Sequence, residues 1–526
     1  MVLGNGPVGQ TTALLLARWR VNVVVLDARQ ERDPVGSKSI CQQRDVLDVW
    51  NAVGAGQRIA DEGVTWTTVR TFYQDRELFA YTLPDSGRSC FPPFVNISQA
   101  RTEQILDETI AACPRIGVRW DHRVVGITQD DHGVVLACET SLGRVDVRGD
   151  YVVACAGAKG DEIRQLLGVR FDGHSFDDRF LICDIRAQLP GWANERRFYF
   201  DPKWNPGRQV LIHPCPQGTF RIDWQVPAEY DLAAEDASGA LDARIRAIIG
   251  DRRYATVWKS VYRFHSRVVD RMRVGRVLLA GDLAHLVAPF GARGLNSGVA
   301  DAENAAWKLA FVLHGWAGQE LLESYHQERH AAALENLEVI TATMDFLVPR
   351  DEEQRRRRLD ALTRAASDPA ARADVNSGRL AEPFWYVDSP LTTPDPSRPF
   401  AGRPPRGTAA PAGPGIIAPD APIEDQGHGR FRAVARDGFL LLATPGIQLA
   451  DVAAAAAECT GPLRLLQLAA IDAGGALAEA LRADPGELWL IRPDAHVAAV
   501  LGRPTRADIV RAVRRAQGGA LATGTS

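Results

Sequence analysis

Residues 281–310 read GDLAHLVAPFGARGLNSGVADAENAAWKLA. An apolar run, Val277 to Ala280, leads into Gly281 and Asp282. A glycine-punctuated turn through Pro289, Gly291, Gly294, Leu295 and Asn296 follows, and then a helical pattern. That order suits a polar cofactor chain held by Asp282 and a flat ring laid on exposed backbone near Gly294–Asn296. Glycine lets the main chain approach a planar ligand. A helix start offers unpaired N–H groups to electronegative atoms.

The chain opens with a second cofactor signal. Val2-Leu3 precedes Gly4-Asn5-Gly6-Pro7-Val8-Gly9, and Ala13–Ala17 continues as an apolar helical run. Strand, GxGxxG turn and helix are the context a dinucleotide fingerprint requires. Gly4 permits the tight turn, Gly6 admits a pyrophosphate to the backbone, and Gly9 allows the helix to pack on the strand. The apolar stretch Val21–Leu26 ends in Asp27, at the spacing of an acid that accepts from a ribose hydroxyl. With three residues ahead of Gly4, the first strand is expected to be short or clipped.

Bulk properties bound the alternatives. At 526 residues the chain exceeds what one core organises, so two or three domains are expected. A hydrophobic content of 46% with 24% charged residues is that of a globular protein. A net charge of −4 gives no electrostatic case for nucleic acid or an anionic membrane surface. No apolar run is long enough for a membrane span, and no leader pattern stands at the N-terminus. The eight cysteines (41, 90, 113, 138, 155, 183, 215 and 459) form no CxxC pair. They read as reduced thiols of a cytoplasmic protein, with neither a disulfide frame nor a metal site.

Together the two glycine motifs and their acids resemble the FAD-dependent aromatic hydroxylases, the class typified by para-hydroxybenzoate hydroxylase and phenol hydroxylase. The resemblance covers residues 1–345 well and the rest loosely. It implies an α/β fold: a Rossmann-like FAD-binding domain of the glutathione-reductase type, an inserted mixed-sheet substrate domain and a C-terminal thioredoxin-like domain. The boundaries expected are 1–174 with 271–345 for FAD, 175–270 for the substrate sheet, 346–422 for a helical segment and Pro-rich linker, and 423–526 for the last domain. By resemblance Asp282 holds the ribityl hydroxyls, and the Leu295 and Asn296 backbone faces the flavin pyrimidine edge. Gln99 meets the flavin ahead of a helix over Thr102–Thr109. Lys38, in Gly36-Ser37-Lys38-Ser39, stands where the family has arginine, and keeps the charge without the planar fork. At Val152–Ala158 the family's Asp-Gly pair, implicated in FAD and NAD(P)H handling, reads Ala156-Gly157.

The 175–270 segment offers strands at Phe180–Ile185, Arg197–Phe200, Gln209–His213 and Phe220–Gln225. Such a sheet roofs the flavin in the family, so His213, Arg221, Asp223 and Trp224 are candidate pocket residues. Each is also explicable as an ordinary sheet residue. Asp45, His213 and Asp223 are the candidate bases for ionising a phenol. Helices are expected over Gly298–Leu313 and Gln319–Thr343, and a solvated charged face over Asp351–Arg358. A proline-rich wrap spans Leu391–Pro422. Beyond it, strands at Phe439–Ala443, Leu463–Leu468, Glu487–Ile491 and His496–Leu501, with a closing helix Arg506–Gln517, form a unit suited to packing or dimer contacts. A frayed end follows from Gly518.

The resemblance implies an NAD(P)H:O2 monooxygenase, in which NADPH or NADH reduces bound FAD and a flavin hydroperoxide transfers one oxygen to a phenol or other aromatic ring. Gly54-Ala55-Gly56 is no second fingerprint, which fits a nicotinamide that visits transiently. A Baeyer–Villiger or polyketide-tailoring oxygenase would use the same flavin chemistry. A flavin-binding protein with impaired catalysis is the alternative raised by Ala156.

Overall fold

A computed structural model describes residues 1–33, 36, 38–404, 410–425 and 427–519. Ser37, Pro405 of the proline-rich segment and the expected frayed residues 520–526 lie outside the described residues.

A six-stranded sheet carries the fingerprint. Its order is Arg273–Val274, Val277–Leu279, Val152–Ala154, Val2–Leu3, Val23–Leu26 and Ile116–Arg119. All neighbours are parallel except the first pair. The opening strand has two residues, yet Val2 sits at the centre of the sheet between Val153 and Val25. Both faces of a parallel sheet are covered, so its strands are continuously apolar. Val2, Val25, Val152 and Leu278 are each fully buried.

The helix Pro7–Arg18 begins on a proline, whose missing N–H would have had no partner in a first turn. It packs between the sheet, the helix Gln99–Ala111 and the long helix Arg293–Leu313. Close approach fixes the glycines. Gly4 has φ 96°, and a Cβ there would lie 2.5 Å from the Cys155 carbonyl. A Cβ on Gly9 would collide with the Gly4 carbonyl.

An eight-stranded sheet forms the second layer, in the order His285–Leu286, Tyr254–Val269, Phe171–Ala187, Thr219–Val226, Gln209–Cys215, Glu195–Phe200, Thr68–Tyr73 and Arg76–Thr82. The four strands read from the sequence are present. The sheet also reaches outside 175–270, because Thr68–Tyr73 pairs in parallel with Glu195–Phe200. One face packs on the helix Ala240–Ile249 through Leu181, Ile222, Trp224 and Ile245. The other faces the cofactor motifs.

The long helix starts at Arg293, five residues before the expected Gly298. Ala292, at φ 59°, reverses the chain and lets Gly294–Asn296 form the first helical turn. The next helix runs Glu323–Leu347 after a short 3-10 turn at Gln319–Leu322. In the charged run, Asp351 caps the helix Glu352–Ala365, and Arg358 turns inward onto Asp201. The expectation of a wholly solvated face fails at Arg358, because the half-buried Asp201 carboxylate offers its guanidinium a fork-like contact.

The C-terminal sheet has the order Leu463–Gln467, Phe439–Ala443, Glu487–Ile491 and Val497–Gly502. The closing helix Arg506–Ala516 starts with a Thr505–Asp508 capping box. Trp307 and Phe311 of the long helix are buried in this unit's core beside Phe439. Each such side chain contributes about 1.5–3 kcal/mol by burial. One helix thus begins at the cofactor turn and ends inside the C-terminal core.

Candidate functional site

At the fingerprint end, Asp27 accepts from the Asn5 N–H at 2.7 Å and from Arg29 Nε and Nη2 at 2.9 and 2.8 Å. Burial pushes its carboxyl up, but the Arg29 and backbone hydrogen bonds outweigh this and hold it below the usual range. Arg29 and Arg32 both lie 5.5 Å from the Trp120 ring centroid. A Cβ on Gly6 would meet nothing within 4 Å, so the backbone there is open to a ligand. Both amide atoms of Asn5 are buried without a partner. Open backbone, an acid and an unsatisfied amide are the donor and acceptor set a dinucleotide would use.

The second motif meets the first at Val8. Gly281 has φ 62°, and a Cβ on it would touch the Val8 side chain at 3.1 Å. Asp282 is exposed at this turn, between the buried Gly281 and Leu283. Desolvation there pushes its carboxyl up, against the pull of His285 and Lys38. Gly281 N–H donates to Asp301 Oδ2 at 2.9 Å, and His285 Nε2 lies 2.7 Å from the same oxygen. Pro289 is exposed and Gly291 buried at the head of the turn, while Leu295 is half-buried. Asn296 is 5% exposed and inserts its amide into the strand Cys41–Gln43.

Gln99 and Lys38 join the two ends. Gln99 is the first residue of its helix, accepts from the Ser39 N–H at 3.1 Å and donates to Glu103 at 2.8 Å. Lys38 is exposed, and its carbonyl accepts from Arg221 Nη1 at 3.2 Å. Fit to FAD is therefore supported at both ends: an open glycine turn for the pyrophosphate, and a solvent-facing acid beside a helix start for the ribityl chain and ring.

Strand alternation decides the sheet side. His213 faces Arg221 across the strand pair, and Leu211 faces Asp223. These four share the surface toward the cofactor motifs with Asp184, the partner of Arg221 in the neighbouring strand. Arg221 forms a buried two-pronged pair with Asp184 at 2.8 and 2.9 Å. His213 Nε2 and Asp223 Oδ2 stand 3.8 Å apart. His213 Nδ1 and Asp223 Oδ1 are buried with no hydrogen-bond partner. Desolvation pushes the Asp223 carboxyl up to about 7, with Arg221 opposing and Asp184 reinforcing. Desolvation, then Arg196 and Arg221, holds the His213 imidazole well below its ordinary value. This wall therefore carries an acid poised near neutrality and a neutral imidazole, each with one open polar atom. The ionised Asp223 can receive a proton from a weakly acidic hydroxyl, and the neutral His213 can hydrogen-bond to that hydroxyl.

Two expected residues fall elsewhere. Trp224 lies on the opposite face, fully buried in the core over Ala240–Ile249, because it is one residue out of phase with Asp223. Asp45 is held by Arg432 of the C-terminal unit, which also reaches Asp48 at 2.9 Å. Three residues that sequence reasoning passed over, Arg196, Arg164 and Phe180, belong to the site's surroundings, as does Phe264, which the sequence leaves open between core and pocket. Arg196 bears on His213 electrostatically. Arg164 donates to the Leu283 carbonyl at 2.9 Å and the Ala158 carbonyl at 3.2 Å, bridging the segment after Ala156 to the Asp282 turn. Phe180, 5.2 Å from Phe290 between centroids, and Phe264 give this region an aromatic wall. Their only sequence signal is period-two alternation with polar neighbours, which does not say which face is which.

A family model described as FAD binding domain matches residues 1–339. The chain is 30% identical over 345 residues to a 3-(3-hydroxy-phenyl)propionate/3-hydroxycinnamic acid hydroxylase of Mycobacterium sp. (strain JLS), covering 64% of this chain and 58% of that protein. It is 28% identical over 389 residues to a para-nitrophenol 4-monooxygenase of Pseudomonas sp. (strain WBC-3), covering 70% and 92%. The chain thus spans 58% of the length of the first of these curated relatives. Among solved structures it resembles the flavin-dependent monooxygenase PieE in complex with FAD and substrate, with a TM-score of 0.84, 22% identity and 98% of each chain covered. The substrate-free rebeccamycin biosynthetic enzyme RebC gives a TM-score of 0.75 at 22% identity, covering 99% of this chain and 98% of that one.

Proposed function

The chain belongs to the FAD binding domain family, and from that premise we propose that it is an NAD(P)H-dependent monooxygenase that hydroxylates a phenol or other aromatic ring. The observation that carries the reading is the facing of two walls. Ala288 and Phe290 of the Gly281–Asn296 turn pack with Leu211 on the sheet face that also carries His213 and Asp223, whose Nδ1 and Oδ1 have no hydrogen-bond partner. When bound, FAD supplies hydride acceptance and oxygen activation. The chain's part is to orient the ring, exclude water and take up the phenolic proton.

Asp223 is the better base of the pair. Its carboxyl is poised near 7, and its Oδ1 is open. His213, kept neutral 3.8 Å from Asp223, can orient the hydroxyl by a hydrogen bond. Arg221, neutralised by Asp184, ties this wall to the Lys38 carbonyl and so to the cofactor side. Phe180, Phe264 and Phe290 supply an apolar, ring-shaped complement. NADH or NADPH serves as a transient reductant. The domain boundaries expected from the sequence, the thioredoxin-like character of the last unit and a cytoplasmic location belong to the same reading. The scattered free thiols support that location. Among the described residues, no helix is long and apolar enough to cross a membrane.

A second reading keeps the flavin and loses turnover. It is favoured by Ala156, half-buried at the end of the central strand, where no carboxylate can organise reduction. One experiment separates the two. FAD-loaded protein is mixed with NADH or NADPH and a panel of phenols, first without and then with air. Bleaching of the flavin and an oxygenated product are expected. Flavin that no donor bleaches sinks the oxygenase reading and leaves the binding protein.

A further inference from the structure

A continuous line of buried polar side chains runs from the cofactor turn into the C-terminal unit. Asp301 holds both ends of the turn, through Gly281 N–H at 2.9 Å and His285 Nε2 at 2.7 Å. Its other oxygen accepts from Arg329 Nε at 2.7 Å. Arg329 Nη1 reaches the Tyr386 hydroxyl at 3.0 Å, and Asn304 Nδ2 donates to the same hydroxyl at 3.3 Å. Asn304 also donates to Glu328 at 2.7 Å. Arg492 grips Glu328 with two bonds, at 2.6 and 2.9 Å, and bonds Asp494 at 2.6 Å. Asp494 accepts in turn from Trp307 Nε1 at 3.1 Å. Every member is buried, and Asp301 and Arg492 have no exposed surface.

The charges balance. Asp301, Glu328 and Asp494 face Arg329, Arg492 and Lys308, whose Nζ lies 2.6 Å from Glu328. A buried ionic network is a poor source of net stability, because desolvation offsets most of the attraction. Apolar burial around Trp307, Phe311 and Phe439 already docks the C-terminal unit. Geometry is what the network adds. Gly281 sits at φ 62° directly before Asp282, and its N–H is held by Asp301 alone among the bonds of the turn. His285 Nδ1 is buried without a partner, so the ring is oriented through its Asp301 bond.

We propose that the C-terminal unit braces the cofactor turn: the line Arg492–Glu328–Asn304–Tyr386–Arg329–Asp301 sets the conformation of Gly281–His285, making Tyr386 and Arg492 positioning residues for FAD. The inference rests on the FAD reading and gives the last unit, which has no CxxC, a specific task. Neither residue belongs to the turn or the fingerprint; because Arg329 also donates to Ser297 at 3.2 and 3.1 Å, exchange in the turn itself is what reports on the branch through Asp301.

The test uses the full chain with Tyr386→Phe, which keeps the ring and removes the hydroxyl where the two halves meet. FAD affinity is read from flavin fluorescence, and amide exchange is followed in the peptide covering residues 277–292. A coupling of ordinary size predicts an FAD dissociation constant raised by about fivefold or more. Exchange should quicken in that peptide and not in the strand Phe439–Ala443. If Tyr386→Phe does not fold, Arg492→Lys keeps the charge but loses the two-pronged grip, and the same two readouts apply. A lowered melting temperature with unchanged FAD affinity and unchanged exchange at the turn overturns the brace and leaves a merely structural network. Failure of the wild-type chain to bind FAD would instead overturn the cofactor reading.

Discussion

Asn296 and Gln43 meet across 253 positions of sequence, the Asn296 side-chain oxygen accepting the Gln43 N–H at 3.0 Å. The same amide donates to the Cys41 carbonyl at 3.0 Å. It therefore fills a place in the edge of a short strand and pins the first turn of the long helix to it. Asn296→Ala leaves a buried N–H and a buried carbonyl unsatisfied, at a cost of about 1–3 kcal/mol for each group. The expected outcome is a lower denaturation midpoint together with weaker FAD binding, checked by urea unfolding and flavin titration. An unchanged midpoint would show that water replaces the amide.

On the proposed oxygenase reading, Asp223 links activity to pH. Its folded carboxyl titrates near 7, so the base is available above that value and lost below it. The rate of hydroxylation at low substrate should rise with pH through about 7, and Asp223→Asn should remove the inflection and most of the rate. General-base contributions of about 10²- to 10⁴-fold set the scale.

The same shift has a stability consequence of defined sign. A carboxyl raised from 3.8 to about 7 favours the folded state fully below 3.8, and loses that advantage as pH rises to about 7. Relative to wild type, Asp223→Asn should therefore gain stability between about pH 4 and pH 7 and level off above. Equilibrium unfolding at pH 5 and pH 8 measures this directly. A constant difference between the two would place the titration elsewhere.

Asp282 faces solvent, so its removal should spare the fold. Hydrogen bonds to a charged acceptor are worth about 1.5–3 kcal/mol. Asp282→Ala is thus expected to weaken FAD binding by roughly ten- to a hundredfold, with little change in melting of the FAD-free protein. Gel filtration followed by flavin absorbance decides the point.

On the proposed reading, Ala156 stands where a carboxylate would assist reduction. Restoring a carboxylate by Ala156→Asp should speed anaerobic bleaching by NAD(P)H, by about tenfold if the acid supplies 1.4 kcal/mol in the transition state. Stopped-flow absorbance gives the rate. No acceleration would mean that the Arg164 bridge between Ala158 and Leu283 already organises this region.

Arg432→Met should destabilise the whole chain. It leaves the buried Asp48 and the half-buried Asp45 without their shared cation, a change that costs about 3–5 kcal/mol for a buried pair. Calorimetry showing two transitions in place of one would further show that this arginine couples the C-terminal unit to the flavin side.

Local rules made both cofactor motifs readable in the chain. Gly4 and Gly9 are demanded by carbonyls a few ångströms away, and Asp27 and Asp282 follow strands whose apolar runs are unmistakable. The C-terminal strands Phe439–Ala443 and Glu487–Ile491 were legible to the residue for the same reason. The start of the long helix was not, because Ala292 takes a left-handed conformation that alanine seldom adopts and nothing nearby in sequence announces it.

Glycine spacing and apolar period were enough to read a dinucleotide turn, a second cofactor loop and a run of strands between them, while FAD and the fold came from the family resemblance those motifs carry. Those signals act over a few residues, where backbone sterics dominate. Which face of the inserted sheet meets the cofactor was settled only on folding, because alternation relates Asp223 to Trp224 without orienting either. The same holds for the long charged side chains. Arg432 finds Asp45 across 387 positions, and Arg492 finds Glu328 across 164. A guanidinium can serve any carboxylate that packing brings to it, so its partner is a property of the assembled core and not of the chain.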